Sequence, residues 1–259
     1  MILNLFKFEI KKHFVIFGIF TLIQMILSTA VLVNYDYMSI CFMISSITWI
    51  VIPIYIFIDL YNEFYKGKEV ITHMIPIKTS TKFLVKSVTF SLGLMIIWST
   101  CLIYELFSLN GIYYSKIIDS SNPKVGVIYF ILARFIGFIS GPIIIGIALA
   151  LSKLVKSKIL STAIIVITIT VTTVGLYLVM KSNLAGQENI GWAIGTTSQQ
   201  AFKQYAGMVS MLVTSDKDIT DIAQTIYWNN VIFNVLVAVL GYRIVSLIFN
   251  SRKYEVLGK

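Results

Sequence analysis

The sequence predicts an all-α, polytopic membrane fold with six transmembrane helices in a single domain spanning residues 1–259. Three observations predict it. Of the 259 residues, 57% are apolar and only 13% charged, whereas soluble domains carry about a quarter charged residues. Six apolar stretches each approach or exceed the roughly 20 residues that a helix needs to cross a bilayer core. None shows the roughly ten-residue alternation of an outer-membrane barrel strand. A water-soluble enzyme is excluded by the same composition.

The elements follow in chain order. Leu3, Phe6 and Ile10 fall on one helical face and Asn4, Lys7 and Lys11 on another. Residues 1–13 therefore read as an amphipathic helix lying in the interface and turning into the membrane near His13. The first span is Phe14–Val33. Its basic flank resembles a signal peptide, but the run is too long and ends at Val33-Asn34-Tyr35 without a small-residue cleavage motif, so it reads as retained. The second span is Met38–Ile58.

The link at residues 59–82 is too polar for hydrocarbon and too short for a domain. Val70/Met74 and Ile71/Ile75 have helical spacing, Pro76 disfavours continuation, and Thr79, Ser80 and Thr81 offer caps for the next helix. A short helix across the membrane face follows, either resting on headgroups or docking a protein. The third span is Phe83–Leu109, the fourth Val125–Leu151 and the fifth Ile159–Met180. The outer segment 181–226 predicts two short helices, one over Ser198–Val213 and one from Ser215 toward Trp228. Tyr227–Phe249 is the sixth span.

Charge sets the orientation. Placing both termini, the 59–86 segment and the 152–158 loop on one side collects fifteen of the 21 Lys and Arg residues there, against five opposite and Arg134 within a span. Positive-inside logic makes that side cytoplasmic. The net charge of +9 is thus explained by topology, and no nucleic-acid partner is needed. Cys41 and Cys101 lie in apolar runs and offer neither a disulfide framework nor paired metal ligands.

Catalytic motifs are absent. The chain has no GxxxxGK[ST] phosphate loop and no HExxH, and its two histidines, His13 and His73, stand far apart near the cytoplasmic surface. No metal site is expected. Two ionisable residues lie within spans: Glu105 in the third and Arg134 in the fourth, a geometrically reasonable pair between antiparallel neighbours. Such a pair serves either structure or substrate contact. Thr21, Gln24, Ser28, Ser45, Ser46 and Thr48 form polar patches that read first as helix glue. Gly137-xxx-Gly141 with Pro142 marks the fourth span as the one to bend and to admit a close neighbour.

The LFKFEIKK-type N-terminus, six spans, a polar link after the second, an outer helical segment after the fifth and, above all, NEFYKGKEVITHMIPIKTSTKFLVKS together resemble the permease subunits of type-2 ABC exporters, in the bacterial antimicrobial-peptide and lantibiotic export and immunity branch. The resemblance implies that residues 59–82 form a coupling helix docking on a separately encoded ATPase. Glu63, Phe64, Lys68, Glu69, Ile71, His73 and Met74 would contact it, and Pro76 would end the helix. It implies no cofactor on this chain, with ATP and Mg held by the partner, and a second permease copy or paralogue in a bacterial plasma membrane.

The functional expectation is an ATP-driven export permease carrying an amphipathic or apolar cargo, with a peptide preferred, and not itself an enzyme. A receptor or regulatory subunit sensing an external ligand through 181–226 is the alternative. An ion-coupled carrier is disfavoured because the spans show no central Asp/Glu cluster and no paired broken helices.

Overall fold

The computed structural model describes residues 1–33, 38–66, 77–108, 112–114, 123–155, 157–184, 190–195 and 222–251. Six helices account for most of them: α1 (Ile2–Val33), α2 (Met38–Leu60), α3 (Thr79–Ser108), α4 (Pro123–Lys153), α5 (Lys158–Leu184) and α6 (Trp228–Phe249). All six are long and apolar enough to cross a membrane, and this is the physical solution the composition demands, since a helix satisfies every backbone polar group internally.

In each half of the chain the first helix packs along the third: α1 on α3, and α4 on α6. The contact of α3 with α4 joins the halves, α2 rests on α1 and α4, and α5 lies outermost against α4 and α6. Gly146 brings α3 and α4 together, because a Cβ at that position would overlap the Phe83 ring. The expected Gly137-xxx-Gly141 contact is not the close one. Gly141 has nothing within 4 Å of a would-be Cβ, and Gly137 meets only Asn234 at 3.7 Å.

The N-terminus departs from expectation. No interfacial helix turns at His13; α1 runs unbroken from Ile2 to Val33. Leu3 and Ile10 are exposed, and the packed face is the i, i+4 row Leu5, Glu9, His13 and Phe17. That row wins because it stacks one above the next against α3.

The α2–α3 link is also shorter than read. α2 continues through a π-helical turn, Tyr61–Tyr65, closed by Lys66 N–H donating to Tyr61 O at 3.0 Å. α3 already begins at Thr79, so Lys82 is a helix residue rather than a loop cation, and both it and Lys86 are buried.

At the opposite end three short strands form an antiparallel sheet in the order β1 (Ile112–Tyr114), β2 (Ile190–Gly195), β3 (Ile222–Tyr227). It ties the α3–α4 connection to the α5–α6 connection. The helix expected to run from Ser215 toward Trp228 is corrected at its end: Ile222–Tyr227 is extended, consistent with its β-branched Ile222, Thr225 and Ile226. The Ser198–Val213 helix lies outside the described residues.

A candidate functional site: the buried charge cluster at the linker end

Two adjacent i, i+4 rows meet on the inner side of α2 and its π turn. Ile52, Ile56, Leu60 and Phe64 form the apolar row, all at most 4% exposed. Tyr55, Asp59 and Glu63 form the polar row beside it. Facing them, α1 presents Glu9, Lys12 and His13, and α3 presents Lys82 and Lys86. His13 and Lys86 are fully buried. Charges at this depth are costly unless they are paired and hydrogen-bonded.

They are paired here. The Lys86 ammonium is bonded to Glu63, lies 2.5 Å from Asp59 Oδ2 and 3.9 Å from Glu9 Oε2. Lys12 Nζ lies 3.1 Å from Asp59 Oδ1. His13 Nε2 lies 3.2 Å from Glu9 Oε2 and 3.7 Å from Asp59 Oδ2, and its Nδ1 lies 2.5 Å from the Tyr55 hydroxyl. Phe90 packs on the imidazole at 4.7 Å between ring centres and Phe17 edge-on at 6.4 Å. By helix rise, Glu9 and Lys86 sit about 10 Å inside their helix ends. The cluster therefore joins three helices within the bundle, one to two turns from the linker.

The π turn is a second junction. The Phe64 ring stacks on Phe249 of α6 at 5.3 Å and meets Phe83 of α3 edge-on at 5.6 Å. Lys153 of α4 donates to Phe64 O at 3.2 Å, and the Tyr65 hydroxyl is hydrogen-bonded to Ser161 of α5 at 2.8 Å. With Glu63 on Lys86, these five residues reach α3, α4, α5 and α6. Asn250 Nδ2 donates to Ser80 Oγ at 2.9 Å and closes α6 onto the start of α3.

Glu63 and Phe64 were expected on a partner's surface. Both are interior, at 3% and 4% exposure, so their side chains anchor the linker from within. Lys68, Glu69, Ile71, His73, Met74 and Pro76 lie outside the described residues. So does the Glu105 side chain, although Glu105 is within α3. Arg134 of α4 stands over the Trp98 ring of α3 at 5.7 Å, a cation–π contact between the two helices.

Glu9, Asp59 and Glu63 do converge within the helices, at the linker end rather than the centre. Two segments distant in sequence supply them, which is why no local motif revealed them. Their signal was the spacing itself: Tyr55-Asp59-Glu63 on one row, and Glu9-His13 flanked by Leu5 and Phe17 on another. Among the described residues no group of three or more His, Cys, Asp and Glu side chains is arranged to hold a metal ion.

Neutral polar contacts also join helices among the described residues. Gln24 of α1 and Ser45 of α2 exchange hydrogen bonds at 3.1 and 3.2 Å, and Ser140 of α4 donates to Asn234 Oδ1 of α6 at 2.8 Å. Comparison of the chain with protein-family models, with curated proteins and with solved structures finds no match.

Proposed function

We propose that the chain is the membrane-spanning permease subunit of an ATP-binding-cassette exporter, with the motive force supplied by a separate ATPase docked at the α2–α3 linker. The observation that supports it is the anchoring of that linker. Its entry, Tyr61–Tyr65, contacts α3, α4, α5 and α6, and its exit carries Lys86 into the charge cluster with α1 and α2. A force applied to residues 67–76 would thus reach every helix through specific contacts, as a two-state bundle driven from one end requires.

On this reading Lys68, Glu69, Ile71, His73 and Met74 form the docking surface, and the basic linker end faces the cytoplasm of a bacterial cell. The pathway lies between this chain and a second copy or paralogue, and an apolar or amphipathic peptide is the cargo class. Co-purification with an ATPase encoded beside it tests the reading. Glu69→Arg with Met74→Trp should abolish assembly and ATP-driven peptide efflux from proteoliposomes; undiminished assembly and efflux would remove the docking assignment.

The charge cluster favours one second reading, a carrier coupled to an ion gradient, since buried ionisable groups are the usual seat of such coupling. Efflux that needs a proton gradient and proceeds without nucleotide would select it.

A further inference from the structure

Charge is segregated at the linker end. Among the described side chains the carboxylates are Glu9, Asp59 and Glu63, each at most 9% exposed and turned into the cluster. Lys7, Lys11, Lys66, Lys78, Lys158 and Arg243 are exposed at that end and meet no carboxylate among the described residues. A basic face at the membrane surface attracts anionic headgroups.

One part of that face has a shape as well as a charge. α2 and α5 both rest on α4 but, among the described residues, do not pack along each other. Along the α5 side of α2, Phe57, Tyr61 and Tyr65 form a ladder of stacked, partly buried rings, 5.9 and 4.7 Å between successive centres. The hydrogen bond of the Tyr65 hydroxyl to Ser161 fixes the direction in which the ladder faces. Exposed Ile54 and Ile58 continue the apolar surface beside it.

Cations flank the ladder at its linker end. The Lys66 ammonium lies 5.1 Å from the centre of the Tyr61 ring, and exposed Lys158 opens α5, one turn before Ser161. Neither the Tyr61 ring nor the Lys66 ammonium belongs to the buried cluster, which occupies the opposite side of the same turn through Glu63 and Phe64.

We infer that the α2–α5 cleft holds one anionic phospholipid, its phosphate between Lys66 and Lys158 and its glycerol and upper acyl chain against Tyr61 and Phe57. Two features select this occupant. Phe57 lies roughly 13 Å along the helix from Lys66, inside the apolar span, where an acyl chain reaches and a water-soluble partner does not. A zwitterionic headgroup brings its own cation to a place that already has two, whereas an anionic one supplies net negative charge. Aromatic rings with a polar tip suit the boundary between the two zones.

Native mass spectrometry of the purified chain in detergent, with equimolar phosphatidylglycerol and phosphatidylcholine, tests the site. The parent should retain one phosphatidylglycerol, preferred by about 25-fold, and the preference should fall about fivefold for each of Lys66→Gln and Lys158→Gln. Lys7→Gln/Lys11→Gln, which removes the same charge from α1, should leave it unchanged. Tyr61→Ala should weaken retention of both lipids and keep their ratio.

No preference in the parent overturns the inference. So does an equal fall in the α1 variant, which would mean diffuse attraction, or full retention in Tyr61→Ala, which would mean that the ladder holds nothing. Excess inorganic phosphate should leave the lipid in place; its displacement would reveal a site for free anions instead. The measurement uses the isolated chain, so its failure leaves ATPase docking untouched.

Discussion

The two three-helix halves share a packing pattern but not a chemistry. In both, the first helix lies along the third and the second sits outside. In the α1–α3 half, the seam carries Glu9, His13, Asp59, Glu63 and Lys86, with Phe17 and Phe90 packed on the imidazole. In the α4–α6 half, one contact at the corresponding seam is the neutral pair Ser140–Asn234. The difference shows where the fold concentrates its polar free energy. Neutral bonds between membrane helices are worth about 0.6 kcal/mol on average, enough to orient helices, whereas a buried charge network makes one end of one half strongly dependent on each partner.

Substitutions break this comparison in a definite order, read as unfolding free energy in detergent-titrated micelles. Lys86→Met should cost most, about 3–5 kcal/mol, because it leaves buried carboxylates uncompensated; a loss under about 1 kcal/mol would mean that water already solvates the cluster. Gly146→Leu should cost about 1–3 kcal/mol by forcing Phe83 from the α3–α4 contact. A neutral result there would show that the halves are not closely joined at this point. Asn234→Leu should cost about 0.6 kcal/mol and at most about 1.7; a loss matching that of Lys86→Met would erase the distinction between the halves. Leu178→Ala, on the outward face of α5 at 57% exposure, should stay within about 0.5 kcal/mol, and a larger loss would reveal a packed neighbour on that face.

The six spans were legible because a run of some 20 apolar residues has few alternatives in a bilayer. Phe14–Val33 and the other five runs needed no tertiary knowledge. The cluster was harder to see for a physical reason. A charge one or two turns from a helix end looks the same in sequence whether it snorkels to headgroups or turns inward, and only the neighbouring helix decides. Glu9 and His13 accordingly read as interfacial, Asp59 and Lys82 as part of a loop, and Lys86 as a cation at the start of a span, until α1, α2 and α3 supplied partners for one another.

Glu63 and Phe64 illustrate the same limit. The resemblance implied that they contact a partner, while Lys86 and Phe249, distant in sequence, hold them inside. At the opposite end, Ile222–Tyr227 reads as a helix approach by continuity with Trp228, yet its β-branched residues pair with β2 instead.

The account turns on the linker end acting as the bundle's point of control through Lys86. ATP-driven peptide efflux from proteoliposomes holding this chain and the ATPase proposed as its partner measures that most directly, with parent, Lys86→Arg and Lys86→Met compared at equal amounts of assembled complex. Efflux retained in Lys86→Arg and lost in Lys86→Met, with ATP hydrolysis continuing in both, is the predicted result. Efflux by Lys86→Met equal to the parent's would contradict the account.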